Sequence, residues 1–181
     1  MTEGERLRRA RIWIVVFMVG LVLAGLTAFP LVTESRWLVW WATDRGSPLA
    51  GAAAHLPSAV VWIQQVHQGL VETSAKYPFL AYGTDWLAFA HLTIAVAFLG
   101  PLRDPIRNIW VLDFGLIACV GIVPLALVCG PLRGLPLWWL PIDISFGLFG
   151  AIPLWLARRH IKAVEYGRTD STPNAQVTAP A

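Results

Sequence analysis

Four long apolar stretches, separated by shorter polar ones, organise this chain. Residues 12–29 read IWIVVFMVGLVLAGLTAF without a charge, after a polar and basic start, MTEGERLRRAR. Further apolar runs occupy about 85–99, 109–128 and 137–156. A helix crosses a bilayer with about 20 mostly apolar residues, because each rises ~1.5 Å and the hydrocarbon is ~30 Å thick. The pattern predicts four membrane-spanning helices in an all-α bundle. The first run is longer than the ~7–15 apolar residues of a secretory signal core, and Leu26-Thr27-Ala28 makes a poor cleavage site. An uncleaved first span is therefore expected.

Residues 33–83 form the longest region between spans. Two apolar stretches in it are too short to cross. Trp37 to Trp41 reads WLVWW. Pro57 to Glu72 has helical periodicity, with Ala59, Trp62, Ile63, Val66 and Leu70 on one face and Gln64, Gln65, Gln68 and Glu72 on the other. Pro57 suits a helix start. Such an amphipathic helix lies in the membrane interface or caps the bundle. Gly100-Pro101 and Gly130-Pro131 are expected to stop spans two and three. Each pair opens the sequence GPLR, which reads as a helix stop followed by an interfacial arginine. Pro124, Pro141 and Pro153 fall inside spans, where neighbouring helices re-satisfy the freed carbonyls. Residues 167–181 are small and polar, and a disordered tail is expected there.

Composition agrees with the pattern. Of 181 residues, 56% are hydrophobic and 14% charged, and the mean hydropathy is +0.59. So few charges leave too little polar surface for a soluble domain, and so much apolar character excludes disorder for the bulk. The net charge of +3 alone would admit a nucleic-acid partner, but the placement of the charges argues for topology. Arg6, Arg8, Arg9, Arg11, Arg103, Arg107, Arg158, Arg159, Lys162 and Arg168 fall on the side of the N-terminus. Only Arg36, Arg45, Lys76 and Arg133 fall on the other, across far more chain. The asymmetry predicts both termini in the cytoplasm and the 33–83 segment outside. It also predicts contact between the basic ends and anionic lipid headgroups. No clustered basic face or recognition motif for nucleic acid is present. Trp13, Trp110 and Trp155 mark the inner boundary. Trp37, Trp40, Trp41, Trp62, Trp86, Trp138 and Trp139 mark the outer one, where indole prefers the headgroup level.

Ionisable groups within apolar spans are costly and ask for a reason. His91 lies five residues past Trp86 and Asp143 four past Trp139, so each is about 6–8 Å below the outer boundary. Thr93 and Ser145 follow two residues later in each case. A His91–Asp143 pair across the bundle is one expectation, serving either as a proton relay or ligand site or as a packing hydrogen bond. Asp113, three residues past Trp110, is expected in an inner ion-pair cluster with Arg103 and Arg107, close in sequence across the turn. Asp85 and Asp104 read as helix caps. Only His91 of the four histidines is deep in a span, so haem ligation would require His67 to fold inward.

No cofactor is predicted, and no catalytic or metal-binding set is found. Cys119 and Cys129, ten apart on one helix, would be ~15 Å apart and cannot bridge each other. Absence of paired outer cysteines sets the chain apart from thiol oxidases and from disulfide-stapled four-span proteins. The first span also lacks the acid that small multidrug transporters need. Gly20, Ala24 and Ala28, and again Gly147 and Ala151, have the spacing of close helix contacts.

The stretch Ala81-Tyr82-Gly83-Thr84-Asp85-Trp86-Leu87-Ala88-Phe89-Ala90-His91, followed by Gly100-Pro101-Leu102-Arg103-Asp104-Pro105-Ile106-Arg107-Asn108-Ile109-Trp110, resembles a family of small bacterial membrane proteins with no assigned function. The resemblance extends through span four, roughly the second half of the chain. It implies a four-helix protein of the bacterial inner membrane and brings no activity with it. The functional expectation is a non-enzymatic structural or partner-binding subunit, acting on a membrane protein partner or a second copy. The alternatives are a small proton-coupled transporter using His91 and Asp143, and a redox subunit holding haem or quinone.

Overall fold

The computed structural model describes residues 1–170. Every regular element among the described residues is helical. Helix α1 covers Glu3–Thr27. It opens on a reciprocal cap: Thr2 N–H donates to the Glu5 carboxylate at 2.9 Å and Glu5 N–H donates to Thr2 Oγ1 at 3.3 Å. Two donors that a helix start leaves unsatisfied are thereby paired. Pro30 ends α1 by excluding the helical conformation from Phe29. Then follow α2 (Leu31–Thr43), the short α3 (Ala50–Ala54) and α4 (Pro57–Lys76). A 3-10 turn at Pro78–Ala81 leads into α5 (Tyr82–Ala97), α6 (Leu99–Arg103), α7 (Ile109–Leu132) and α8 (Leu140–Asp170).

Four helical stretches are long and apolar enough to cross a membrane: Glu3–Thr27, Pro78–Arg103, Ile109–Leu132 and Leu140–Arg168. They fall where the four apolar runs predict spans. Their ends differ from the sequence reading. Gly100-Pro101 does not stop span two, because α6 carries the helix on to Arg103 after a brief break. Pro101 sits in the first turn of α6, where a missing N–H costs least. Gly130-Pro131 likewise lies inside α7. The terminator is Gly134, at φ +73°. Gly134 N–H donates to Pro131 O and Leu135 N–H to Gly130 O, both at 3.0 Å, which is the paired closure of a Schellman motif. Helix α8 runs to Asp170, so residues 167–170 of the expected tail are helical. Residues 171–181 lie outside the described residues.

The described residues divide into two compact units, one of Met1–Gly20 with the described residues from Ile94 on, the other of Leu21–Thr93. In the first unit, α7 and α8 pack antiparallel through small residues. A Cβ added at Gly147 would lie 2.6 Å from Cys119 O, and one at Gly130 would lie 2.4 Å from Leu140 Cδ2. Gly115 accepts Leu154 in the same way. Phe98 is fully buried and its ring centroid is 4.7 Å from that of Phe17. The opposite faces stay apolar and open: Ile117 is 72% exposed and Phe149 68%. Such faces suit lipid, where no polar covering is needed.

In the second unit, α2 packs against α4. The inward side of α4 carries the half-buried Val60, Ile63, His67 and Leu70, whereas Val66 is exposed. The turn after α2 is closed by Asp44, whose carboxylate accepts Gly46 N–H at 2.7 Å, and by Ser47 Oγ donating to Trp41 O at 2.5 Å. Gly25 lets α1 approach α5 closely: a Cβ there would lie 3.0 Å from Ala88 O. Gly20 meets nothing within 4 Å, so the close contact is at Gly25 rather than along Gly20, Ala24 and Ala28.

Candidate functional site

The polar groups of the apolar helices divide between the two units. His91 belongs to the Leu21–Thr93 unit and is half-buried on α5. Its Nδ1 lies 2.8 Å from Leu87 O, one turn back on the same helix. Thr93 Oγ1 donates to Phe89 O at 2.9 Å. Both side chains thus turn back on carbonyls of their own helix, four residues before them.

Asp143 belongs to the other unit and sits in the first turn of α8. A carboxylate there complements the positive end of the helix. Its side chain is half-buried and makes no hydrogen bond or ion pair among the described residues. Ser145 Oγ, two residues on, donates to Ile142 O at 2.6 Å.

Asp113 is paired, but not with the residues nearest in sequence. Arg158 Nε, on α8, donates to its Oδ1 at 2.5 Å. Among the described residues no ion pair joins Asp113 to Arg103 or Arg107. Arg107 is instead part of the turn, its backbone N–H donating to Asp104 Oδ1 at 3.1 Å. Asp104 is the turn's organiser, and its backbone carbonyl also receives Asn108 Nδ2 at 3.0 Å. Antiparallel packing explains the exchange of partners. Gly115 faces Leu154, so one turn further along α8 places Arg158 beside Asp113.

The basic end of the first unit holds two more contacts. Arg168 bonds the Glu3 carboxylate, which holds that carboxyl below its usual range. His160, beyond the apolar part of α8, has its pKa lowered by burial and then by Arg9, Arg6 and Arg159.

One contact has no counterpart in the sequence expectations. Ser35, buried on α2, has its Oγ 2.9 Å from His67 Nδ1 on α4. The same hydroxyl donates to Val32 O at 3.0 Å. A serine beside a histidine is the start of a nucleophilic pair. Here the hydroxyl is buried and already committed to a carbonyl, and no carboxylate bonds His67 among the described residues. The arrangement is an interhelical tie. Its signal in the sequence was a histidine on the apolar side of an amphipathic helix.

Beside the tie, the start of α2, the end of α4 and the turn into α5 line a partly open cavity of about 220 Å³. Phe29, Val32, Leu70 and Leu80 line it, with hydroxyls from Thr73 and Ser74. No group of three His, Cys, Asp or Glu close enough to hold a metal ion occurs among the described residues. Compared with known proteins, the chain matches no family profile, no curated protein and no solved structure.

Proposed function

We propose that the chain is a non-enzymatic subunit of a bacterial cytoplasmic membrane, with both termini inside and α2 to α4 on the outer surface. Its partner is another membrane protein or a second copy of itself. The observation that carries this reading is the local use of the polar groups within the apolar helices. His91, Thr93 and Ser145 bond their own helices, and Asp113 ties α7 to α8. The first three satisfy polar groups within a helix, and the fourth joins two helices. The basic asymmetry and the resemblance of residues 81–110 support the inner-membrane setting. Exposed tryptophans on α2, Trp37 at 62% and Trp40 at 50%, suit a helix lying at the headgroup level.

One observation favours a second reading. The unpartnered, half-buried carboxylate of Asp143 is the kind of group that a proton-coupled transporter would use. Native mass spectrometry of the chain extracted in mild detergent separates the readings. The proposal expects a mass above that of one polypeptide, made up by a second copy or another protein. A bare monomer that catalyses pH-dependent uptake in vesicles, lost in Asp143→Asn, would overturn it. A bound haem or quinone would overturn it too, in favour of a redox subunit.

A further inference from the structure

Arg8 and Arg11 stand one turn apart on α1, and Ile12, Val15 and Val16 continue the same strip into the apolar part of the helix. Spacings of three and four residues put all five on one face. Together they line a shallow groove of about 340 Å³. Its floor is open, with Ile12 50%, Val15 43% and Val16 49% exposed. Arg11 is held in place: its Nε donates to Leu102 O at 3.1 Å and its Nη2 reaches Arg103 O at 3.5 Å. Those carbonyls are the last of α6, which a helix end leaves without partners. Arg8 makes no hydrogen bond or ion pair among the described residues. The acids at the start of α1 are engaged elsewhere, Glu5 in the cap with Thr2 and Glu3 with Arg168. The groove therefore presents two cations at one end and a bare apolar strip at the other.

A soluble anion would use the arginines and leave the strip uncovered. A neutral acyl chain would cover the strip and leave the charges unanswered. An anionic phospholipid answers both. We infer that this face of α1 seats one anionic phospholipid, its phosphate between Arg8 and Arg11 and its upper acyl chain along Ile12, Val15 and Val16. The strip from Arg11 to Val16 covers ~7–8 Å of helix, the depth over which a lipid passes from headgroup into acyl chain. General attraction of a basic protein end to an anionic leaflet is spread over all its cations. This seat depends on one of them, Arg8, far more than on its neighbours.

The test titrates the full chain in mild detergent with phosphatidylglycerol, phosphatidylcholine and inorganic phosphate, read by native mass spectrometry. One phosphatidylglycerol is expected to bind about tenfold more tightly than phosphatidylcholine, and Arg8→Gln to remove that preference. Because Arg8 is exposed and makes no hydrogen bond or ion pair among the described residues, Arg8→Gln is expected to keep the fold. Arg9→Gln, altered beside His160, is expected to bind within about twofold of the parent. Equal binding of the two lipids would overturn the inference. So would equal losses in Arg8→Gln and Arg9→Gln, which mark charge without a site. Displacement of the lipid by low concentrations of inorganic phosphate would reassign the pair to a soluble anion. The result is independent of the partner-binding proposal, since a chain without a protein partner still presents this groove.

Discussion

Ser35 Oγ and His67 Nδ1 meet at 2.9 Å and join α2 to α4. The hydroxyl has one proton, and Val32 O receives it. His67 must then carry its proton on Nδ1 and donate it to Ser35 Oγ. Ser35→Ala would leave the half-buried N–H unpaired at a cost of about 1 kcal/mol. Amide hydrogen exchange in α2 and α4 should quicken about fivefold in this variant. Unchanged exchange would mean that the contact adds nothing to the packing of α2 on α4.

Gly147 and Gly20 make a matched pair of probes. A methyl group at Gly147 would press on the backbone carbonyl of Cys119, at 2.6 Å, and no side-chain rotation relieves it. The helices α7 and α8 must separate, which costs about 1–3 kcal/mol as overpacking. Gly20 faces open space. Thermal unfolding in detergent should show Gly147→Ala clearly destabilised and Gly20→Ala unchanged or slightly stabilised through its better helix propensity. Equal effects would mean that α7 and α8 do not pack at this register.

The number and positions of the long apolar helices were legible because run length is a direct consequence of bilayer thickness. Their ends were not. A proline one residue from the end of α7 removes only one bond, which the helix tolerates, whereas Gly134 supplies the left-handed turn that stops it. The same limit applied to the polar residues. His91, Asp113 and Asp143 stood out as charges in apolar surroundings. Asp113's partner did not, because sequence proximity favours Arg103 and Arg107, and only the register of α7 against α8 brings Arg158 to it. Ser35 and His67 were hidden for a related reason: neither is unusual alone, and their meaning lies in the packing of α2 on α4.

The Asp113–Arg158 pair is about two-fifths exposed on each side, 42% and 39%. Exposure of this extent screens the pair, so its contribution is at most about 1 kcal/mol. Asp113→Asn should lower the unfolding temperature slightly, and Arg158→Gln by the same amount. The double variant should cost no more than either single one, since each removes the same interaction. Additive losses would show that the two residues act separately, Asp113 through its helix end and Arg158 through the surface.

His160 gives the first unit a dependence on pH. Burial and the charges of Arg9, Arg6 and Arg159 lower its pKa from the ordinary value of 6.5. The unfolded chain therefore takes up this proton at a higher pH than the folded one does. Between the two values the unfolded state binds more protons, and stability rises with pH. The neutral ring's full contribution is present above about pH 6.5 and is lost progressively as pH falls toward the folded-state value. The parent chain should unfold at a lower temperature near pH 5.5 than near pH 7.5. His160→Gln, which cannot take the proton, should show a smaller difference. Glu3 contributes in the same sense lower on the scale: its pKa is depressed by Arg168, so its share is lost only as pH falls below 4.5. The two are separable by the pH range in which each variant departs from the parent. An unchanged pH profile in His160→Gln would mean that the ring is already free of the arginines around it.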